Sequence, residues 1–398
     1  MIDILVPSAL AAAGLAALGA ERVRLEAFCR RIPLRIAVTG TRGKSTVTRL
    51  VAAALRADGR IVLAKTTGSR PALIGPGGEE TEIRRPGPPS ILEQRSVVRA
   101  AVRMRADALV AEMMSIGPET LRAEAGKILR PHILVVTNAR LDHREEMGRT
   151  REEIAATLAR AFIPGVVAFL PEEEMLPIYA EAARRVGCRL TPISGDPAER
   201  RPVVTGGAAV EFPVNIRLAE AVARYCGVDD GRLKAGLAAA APDFGSLKAW
   251  RLRIPEFSPP ACAVSLFAAN EPESTALSLE RLALAFPGLP ERRVAVLAFR
   301  ADREDRTRQW LEAAGRGFFK AFAGIMVLGD HALPIARRLR RLAPAGTAVS
   351  ASSASDPARI MAAAVGLAGG DACLIGMGNI VGIGTALIDF WAANGEPV

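Results

Sequence analysis

Short apolar runs alternate along most of the chain with longer stretches rich in alanine, leucine and arginine. The short runs are typical of buried strands, and the longer stretches are typical of helices that cover them. Examples of the strand type are residues 35–39, 108–110, 133–136, 294–299 and 325–328. Alternation of this kind predicts parallel sheets covered by helices, which is an α/β fold.

The length of the chain and one proline-rich segment predict how it is divided into domains. The 398 residues suggest two or perhaps three domains, and the proline-rich segment 254–260 is the natural boundary. We therefore expect an apolar helix and a basic linker over 1–32, a central domain over 33–254 and a smaller α/β domain over 255–398. Residues 69–90 are rich in proline, glycine and charge and predict a long loop or hairpin.

The first apolar segment, residues 4–20, contains no charged residue and is followed by Arg22, Arg24, Arg30 and Arg31. This arrangement predicts a short membrane helix that anchors the protein at the cytoplasmic face of the cell membrane. Its small residues would also allow another helix to approach closely. An ordinary amphipathic or buried helix is the alternative, because alanine dominates the segment.

Composition excludes some functional classes. Hydrophobic residues make up 50% of the chain and charged residues 24%, which excludes a largely disordered protein. Aromatic residues, at 5%, are too few for a stacking surface for single-stranded nucleic acid. The net charge of +10 fits either a polyanionic partner or a general bias toward arginine. The five cysteines form no CxxC pair and are interpreted as reduced thiols.

A glycine-rich loop lies between the predicted strand 35–39 and a helical stretch, the context that a phosphate-binding loop requires. Gly40 and Gly43 let backbone N–H groups turn toward a phosphate, Lys44 can reach the β and γ phosphates, and Ser45 can ligate Mg²⁺. Val38 stands where the full Walker pattern has its first glycine, so this loop is a shortened variant. The predicted nucleotide-binding residues here are Gly40, Thr41, Arg42, Gly43, Lys44, Ser45 and Thr46.

A shortened loop of the form GTxGK[ST] resembles that of the Mur ligase superfamily, the ATP-dependent amide ligases that include the cell-wall Mur enzymes and folylpolyglutamate synthase. Other motifs follow in the family's order. Glu112, at the end of a predicted strand, resembles the family's Mg²⁺ ligand, and His143 of TNARLDH resembles a metal-holding histidine. Asn215 of FPVN resembles the asparagine that contacts adenine. The resemblance implies a P-loop-containing Mur-ligase-like central domain and a smaller Rossmann-like α/β domain.

Six further motifs are closer still to the family of poly-γ-glutamate synthase catalytic subunits (PgsB, also called CapB). They are GTRGKSTVTRL, AKTTG at 64–68, EQRSVVR at 93–99, FAANEPEST at 267–275, RADREDRT at 300–307 and GMGNI at 376–380. This resemblance implies ATP, one or two Mg²⁺ ions, and glutamate that is polymerised through γ-amide bonds by way of an acyl phosphate. It also implies small membrane partner subunits and no nucleic acid, and it leaves a homo-oligomer possible.

The sequence also departs from the Mur pattern. Many Mur ligases carry a carbamylated lysine between the two central motifs, but this chain has no lysine from 128 to 233. Ser265 stands where many members have an aspartate, and Lys248 stands where they have an arginine. Lys248 keeps a cation for the nucleotide without the bidentate fork of arginine. The stretch before Gly40 has no room for the amino-terminal substrate domain of the cell-wall enzymes, which argues against a UDP-linked substrate.

Joining a carboxylate to an amine with ATP brings several anions together, so the site needs cations. Lys44, Glu112 and His143 are the main catalytic candidates, and Ser45, Glu112 and His143 are the candidate metal ligands. Lys65 follows an apolar run and either binds a substrate carboxylate or phosphate or belongs to a strand-end turn.

Arg300 and Arg303 follow the predicted strand 294–299, a position where ligands bind in open α/β sheets. They either close over the acyl phosphate or the incoming glutamate, or form a solvated salt-bridge cluster.

Two other functions stay open. A Mur-type ligase would add glutamate or another amino acid to a different acceptor, as folylpolyglutamate synthase does. A nucleotide-gated assembly subunit would bind ATP without ligating anything.

Overall fold

A computed structural model describes residues 2–68, 70–85, 87–143, 145–195, 203–205, 209–253, 261–369 and 371–398. Contacts divide the chain into two compact units, Met1–Glu199 with Val214–Ala241, and Arg200–Pro213 with Pro242–Val398. Each unit contains a sheet covered by helices, which confirms the predicted α/β class. The predicted boundary segment 254–260 lies outside the described residues, so the domain limits stay a prediction.

The first unit is built on one sheet of eight strands. They are β1 (Leu34–Thr39), β2 (Val62–Thr66), β3 (Ala72–Ile74), β4 (Glu80–Glu82), β5 (Ala108–Glu112), β6 (Ile133–Val136), β7 (Val167–Pro171) and β8 (Arg189–Ile193). Their order is β4-β3-β2-β5-β1-β6-β7-β8, and all the pairings are parallel except the two that β3 makes with β2 and β4. The antiparallel β3–β4 hairpin lies within the predicted loop or hairpin at 69–90.

Helices cover both faces of this sheet. They are α1 (Ile2–Arg30), α2 (Lys44–Ala57), α3 (Glu93–Arg103), α4 (Pro118–Ala123), a π-helix (Glu124–Leu129), α5 (Arg151–Leu158), α6 (Pro177–Val186), α7 (Pro213–Tyr225) and α8 (Asp230–Ala238). Neighbouring strand residues enter different cores, since Ala37 packs in the core with α3 and the π-helix, whereas Ile36 packs in the core with α2, α7 and α8. Burial on both faces explains why the strands are continuous apolar runs.

The expected membrane anchor is not supported by α1. Among the described residues, no helix combines the length and the apolar character needed to cross a membrane. Alanine exposes little apolar surface, so a long alanine-rich run gains little on transfer into lipid. The helix then continues through charged positions, and Leu25 and Cys29 near its end are buried in the first unit's core. The prediction of an amino-terminal apolar anchor at the cytoplasmic face of the membrane is therefore wrong.

The second unit contains a two-stranded and a seven-stranded sheet. Its strands are β9 (Val203–Thr205), β10 (Ala209–Glu211), β11 (Lys248–Leu252), β12 (Cys262–Ser265), β13 (Arg293–Phe299), β14 (Phe322–Gly329), β15 (Ala348–Ser352), β16 (Cys373–Gly378) and β17 (Gly395–Pro397). Its helices are α9 (Pro272–Ala285), α10 (Glu304–Gly315), α11 (Ala332–Leu342), α12 (Pro357–Ala368) and α13 (Ile383–Asn394).

The larger sheet has the order β15-β14-β13-β16-β12-β11-β17, and its five strands from β15 to β12 are parallel. Because β16 lies between β12 and β13, the strand order reverses there. Loops at the carboxyl ends of strands around such a reversal are the usual ligand sites of open α/β sheets.

Candidate active site

Two glycines with positive φ shape the loop between β1 and α2. Gly40 has φ 126° and Gly43 has φ 78°. A side chain on Gly40 would put its Cβ only 2.1 Å from Thr137 Oγ1, so the close approach of the residues after β6 requires glycine. Gly43 occupies the N-cap of α2 and supplies no side-chain cap. The amino end of α2 and the glycine loop together form a cradle suited to phosphate.

Two residues after β6 hold this loop in place. Thr137 Oγ1 donates to the carbonyl oxygen of Arg42 at 2.6 Å. The side-chain oxygen of Asn138 accepts from Thr41 Oγ1 at 2.7 Å and from the Arg42 N–H at 3.1 Å. Thr137 and Asn138 are both buried. The loop is therefore preorganised by the protein itself, which is what an electrostatic binding site requires.

Lys44 is the first residue of α2, and its side chain folds back over the loop. Its Nζ donates to the carbonyl oxygens of Gly40 at 2.8 Å and of Thr41 at 3.4 Å. A phosphate in the cradle would offer this ammonium a charged acceptor and hence a stronger hydrogen bond. The predicted nucleotide-binding residues 40–46 thus form one continuous structural element.

Ser45 and Glu112 come together from the start of α2 and the end of β5. The Ser45 hydroxyl donates to Glu112 Oε2 at 2.7 Å. Thr67, just after β2, donates to the same carboxylate through its N–H at 2.7 Å and its hydroxyl at 2.6 Å. Hydroxyl and carboxylate oxygens are the hard ligands that Mg²⁺ prefers, so this donor set fits that ion. Two of the three predicted metal ligands are therefore in direct contact.

The third predicted ligand, His143, lies in a different group. Its Nε2 is 3.8 Å from Asp142 Oδ2, and the same carboxylate oxygen is 3.3 Å from Arg42 Nη2. His143 has φ 48°, a backbone conformation that few residues other than glycine adopt. The histidine is thus connected to the phosphate loop through Asp142 and Arg42, and its role as a metal ligand stays a prediction.

Lys65 occupies an ion pair rather than an open site. Its side chain is 0% exposed, and its Nζ lies 2.8 Å from Glu93 Oε1. Arg85 also binds Glu93, with Nε 2.7 Å from Oε2. Burial lowers the pKa of Lys65 against the opposing effect of Glu93, Glu112 and Glu124. The ammonium already faces Glu93. Its predicted contact with a substrate carboxylate or phosphate stays a prediction.

This ion pair predicts a pH-dependent stability. Burial raises the pKa of Glu93, but hydrogen bonds and charge from Arg85 and Lys65 outweigh burial and lower it below 4.5. A carboxyl whose pKa is lowered by folding stabilises the protein above its ordinary pKa, and this contribution disappears as pH falls through the lowered value. Glu93→Gln leaves a buried ammonium unpaired, so we expect it to reduce the free energy of unfolding by about 3 kcal/mol at pH 7.

The difference between Glu93→Gln and the wild type should shrink as pH falls below 4.5, the ordinary value for this carboxyl. Urea unfolding followed by circular dichroism at several pH values measures it. Glu181→Gln, at an exposed position of α6, is the matched control and should show little change. A difference that is constant across this pH range would contradict the ion-pair assignment.

Asn215 of α7 lies against the phosphate loop. It is buried, and a Cβ on Gly43 would be only 2.7 Å from its Oδ1. Gly43 therefore serves two purposes, since it adopts positive φ and leaves room for this amide. The predicted contact of Asn215 with adenine stays a prediction.

Three polar side chains surround Glu112, and sequence reasoning gave no role to two of them, Gln94 and Glu124. Thr67 binds the Glu112 carboxylate, Gln94 binds the Glu112 backbone carbonyl at 2.9 Å, and Glu124 binds Gln94 at 2.7 Å. Thr67 lies within AKTTG beside Lys65, where the prediction is a contact with a substrate carboxylate or phosphate, and Gln94 lies within EQRSVVR, to which no role was given. Glu124 had no signal beyond being a glutamate in a helical stretch.

The remaining candidates belong to the second unit, described by itself. Lys248 begins β11 opposite Ser265 in the ladder with β12. Arg300 Nη2 is 2.7 Å from Asp302 Oδ2, so the salt-bridge alternative for Arg300 is present in the structure. Arg303 is the N-cap residue of α10. The Arg303 N–H donates to the Arg300 carbonyl oxygen at 3.2 Å.

Another basic residue of the second unit reaches the end of β16. Arg306 Nη1 donates to Asn379 Oδ1 at 3.2 Å. The first turn of α10 and the loop after β16 are thereby joined at the reversal of strand order. Arg300 instead lines a groove of about 760 Å³ between α10 and α11.

Family models match two parts of the chain. Residues 38–174 match the Mur ligase middle domain, and residues 256–394 match the C-terminal domain of poly-gamma-glutamate synthase CapB. The capsule biosynthesis protein CapB of Bacillus anthracis is 31% identical over 70% of this chain and 60% of its own length. The PGA synthase CapB of Bacillus subtilis (strain 168) is 30% identical over 73% of each chain. The match thus spans less than two thirds of the Bacillus anthracis protein.

Solved structures show the same fold at lower identity. Mycobacterium tuberculosis folylpolyglutamate synthase complexed with ADP has a TM-score of 0.67 and 18% identity, over 95% of this chain and 94% of its own. MurF from Acinetobacter baumannii has a TM-score of 0.61 and 15% identity, over 92% and 80% of the two chains. At these identities the similarity establishes the fold, which is the Mur-ligase-like α/β fold expected from the motifs.

Proposed function

The chain belongs to the CapB family of poly-γ-glutamate synthases, and from this premise we propose that it is an ATP-dependent amide ligase that polymerises glutamate. In the first step a γ-carboxylate oxygen attacks the γ-phosphorus of ATP, and ADP leaves to give an acyl phosphate. In the second step the α-amine of another glutamate unit attacks the acyl carbon. Inorganic phosphate leaves, the amine loses a proton, and a γ-amide bond has formed.

The observation that carries this proposal is the contact between Ser45 and Glu112 beside the phosphate loop. A phosphate cradle alone fits any nucleotide-binding protein. A strand-end carboxylate in contact with the first-turn hydroxyl adds a place for a divalent cation, and Mg²⁺ is usually held by one or two such groups together with nucleotide phosphates. When bound there, Mg²⁺ supplies positive charge to the phosphate oxygens.

Each residue of the loop then has a chemical role. The Lys44 ammonium binds the phosphates and stabilises the charge that develops on them as ADP leaves. Gly40 and Gly43 allow backbone N–H groups to approach the phosphate oxygens. Ser45 and Glu112 hold the cation, and Thr67 orients the Glu112 carboxylate through two hydrogen bonds.

Polymerisation also needs cations for the substrate carboxylates, because each glutamate unit carries one. We assign this role to the arginines after β13, Arg300 and Arg303, and we assign Lys248 to the nucleotide. The support is their position at strand ends of the second unit, where α/β folds bind ligands. Small membrane subunits remain proposed partners, as does the growing polymer itself.

The test is ADP release by the full chain with Mg²⁺ and ATP, measured with and without glutamate, and with products analysed by mass spectrometry for γ-linked glutamate. We expect glutamate-dependent ADP release together with polymer. Membranes that carry the neighbouring gene products are added in a parallel reaction, which tests the predicted subunits. ADP release that is indifferent to glutamate would contradict the ligase assignment and favour an assembly subunit. Glutamate-dependent release that requires another acceptor would indicate a different Mur-type ligase.

A further inference from the structure

Glu124 is a carboxylate that the chemistry above does not use. It is the first residue of the π-helix, and it is 0% exposed. Removing a carboxylate from water costs several kcal/mol unless strong hydrogen bonds replace the lost hydration. π-helical turns are rare and are frequent at functional sites. A fully buried glutamate at this position is therefore a candidate for a role in the neighbouring site.

The hydrogen bonds of Glu124 converge on the backbone just after Glu112. Its Oε1 accepts from the Met114 N–H at 3.1 Å, and its Oε2 accepts from the Ser115 N–H at 2.9 Å and from the Ser115 hydroxyl. Gln94 Nε2 also donates to Oε1, at 2.7 Å. The carboxylate thus fixes the turn between β5 and α4 by direct contacts with its backbone.

Gln94 extends this network to Glu112 itself. The same Nε2 that binds Glu124 donates to the Glu112 carbonyl oxygen at 2.9 Å. On the other side of that peptide, the Met113 N–H donates to the Val38 carbonyl oxygen of β1 at 2.8 Å. The backbone of residues 112–115 is therefore held at four consecutive positions. Its geometry determines where the Glu112 carboxylate meets Ser45.

A buried cation, Lys65, lies near this network. The ammonium of Lys65 is 2.8 Å from Glu93, and the charges of both Glu112 and Glu124 act on it. The charge of Lys65 thus acts on three carboxylates, while its direct ion pair is with Glu93.

We propose that Glu124, acting through Gln94 and the 113–115 turn, is a positioning residue that holds the Glu112 carboxylate for metal binding. This proposal rests on the proposed function in one respect, which is that the loop binds a nucleotide together with a metal ion. Glu124 contacts neither metal nor nucleotide in this scheme. Its effect is on the affinity of the site for the ion.

The experiment measures metal binding directly. Mn²⁺ is titrated into the full chain with AMPPNP, and free Mn²⁺ is followed by electron paramagnetic resonance. For Glu124→Gln we expect the Mn²⁺ dissociation constant to rise about 10- to 100-fold, the usual effect of losing a partner that orients a metal ligand. AMPPNP binding without metal should change less than about 2-fold, because residues 40–46 are untouched. Gln94→Met, which removes the bridging amide, should shift the Mn²⁺ constant in the same direction.

Glu119→Gln is the matched control, since Glu119 lies on α4 with its side chain 78% exposed. It should bind Mn²⁺ as the wild type does. All titrations are made at a temperature where circular dichroism shows the variants folded, and Gln94→Met decides the matter if Glu124→Gln does not fold. Lower thermal stability with unchanged Mn²⁺ affinity would show a merely structural role and overturn the inference. A wild type that binds Mn²⁺ and AMPPNP but makes no γ-linked product would instead contradict the proposed function.

Discussion

Lys44→Ala should lower ATP turnover by at least about 100-fold, the usual loss when one preorganised group that stabilises developing charge is removed. The Lys44 ammonium is held over the loop by the carbonyl oxygens of Gly40 and Thr41, so it is already positioned before a nucleotide binds. Its removal takes a positive charge away from the loop at the start of α2. The measurement is glutamate-dependent ADP release at saturating ATP and Mg²⁺.

Lys234→Ala provides the matched control for this variant. Lys234 lies at an exposed position on α8, so its loss changes the net charge equally without touching the loop. We expect near-normal turnover in the control and unchanged thermal unfolding in both variants. Turnover in Lys44→Ala within a few-fold of the wild type would remove the phosphate loop from the proposed mechanism.

Gly40→Ala should abolish nucleotide binding and destabilise the first unit. The new Cβ would lie 2.1 Å from Thr137 Oγ1 and 3.0 Å from the Thr137 backbone nitrogen, and φ at this residue is 126°. The unusual backbone conformation costs about 1–3 kcal/mol, and relief of the clash costs about as much again. Because the loop must move to relieve the clash, we expect AMPPNP affinity to fall more than about 100-fold, or about 3 kcal/mol.

Gly59→Ala separates the effect of backbone strain from the effect of the clash with Thr137. Gly59 also has positive φ, 86°, but nothing lies within 4 Å of the Cβ it would gain. We expect a loss of about 1 kcal/mol from backbone strain and normal AMPPNP affinity. Equal losses of stability in the two variants, with nucleotide binding intact in Gly40→Ala, would mean that the contact with Thr137 does not constrain the loop. Calorimetry and a fluorescent-nucleotide titration give both quantities.

The phosphate loop was predictable from sequence because its chemistry is local. Glycines, lysine and serine follow one another between a strand and a helix, and no distant residue is needed to recognise them. Glu112 was predictable for a related reason, since a lone acid directly after an apolar strand lies at the edge of the sheet where ligands bind. Its contact with Ser45 then follows from the parallel pairing of β1 with β5.

The surroundings of Lys65 and Glu124 were not predictable, because they depend on partners far along the chain. Lys65 lies near the end of β2, where a substrate-binding lysine is expected in sequence, but β2 and α3 bring Glu93 to its ammonium. The buried state of Glu124 depends on Gln94, 30 residues away. The amino-terminal segment misled for another reason, since the absence of charge and the arginines that follow favoured a membrane helix, although alanine gives the run little hydrophobicity.

The order of the two units along the chain determines when the first unit can fold during synthesis. The first unit takes in residues up to 199 and then residues 214–241, whereas residues 200–213 belong to the second unit. Helices α7 and α8 bury Leu218, Val222 and Leu233 in the same core as Val47 and Leu55 of α2. A ribosome-bound chain that ends at residue 195 therefore has only α2 of the three helices in this core, and that face of its sheet is incompletely covered. The nucleotide-binding unit should become protease-resistant only after α8 has left the exit tunnel, so its folding is delayed relative to the synthesis of its own strands.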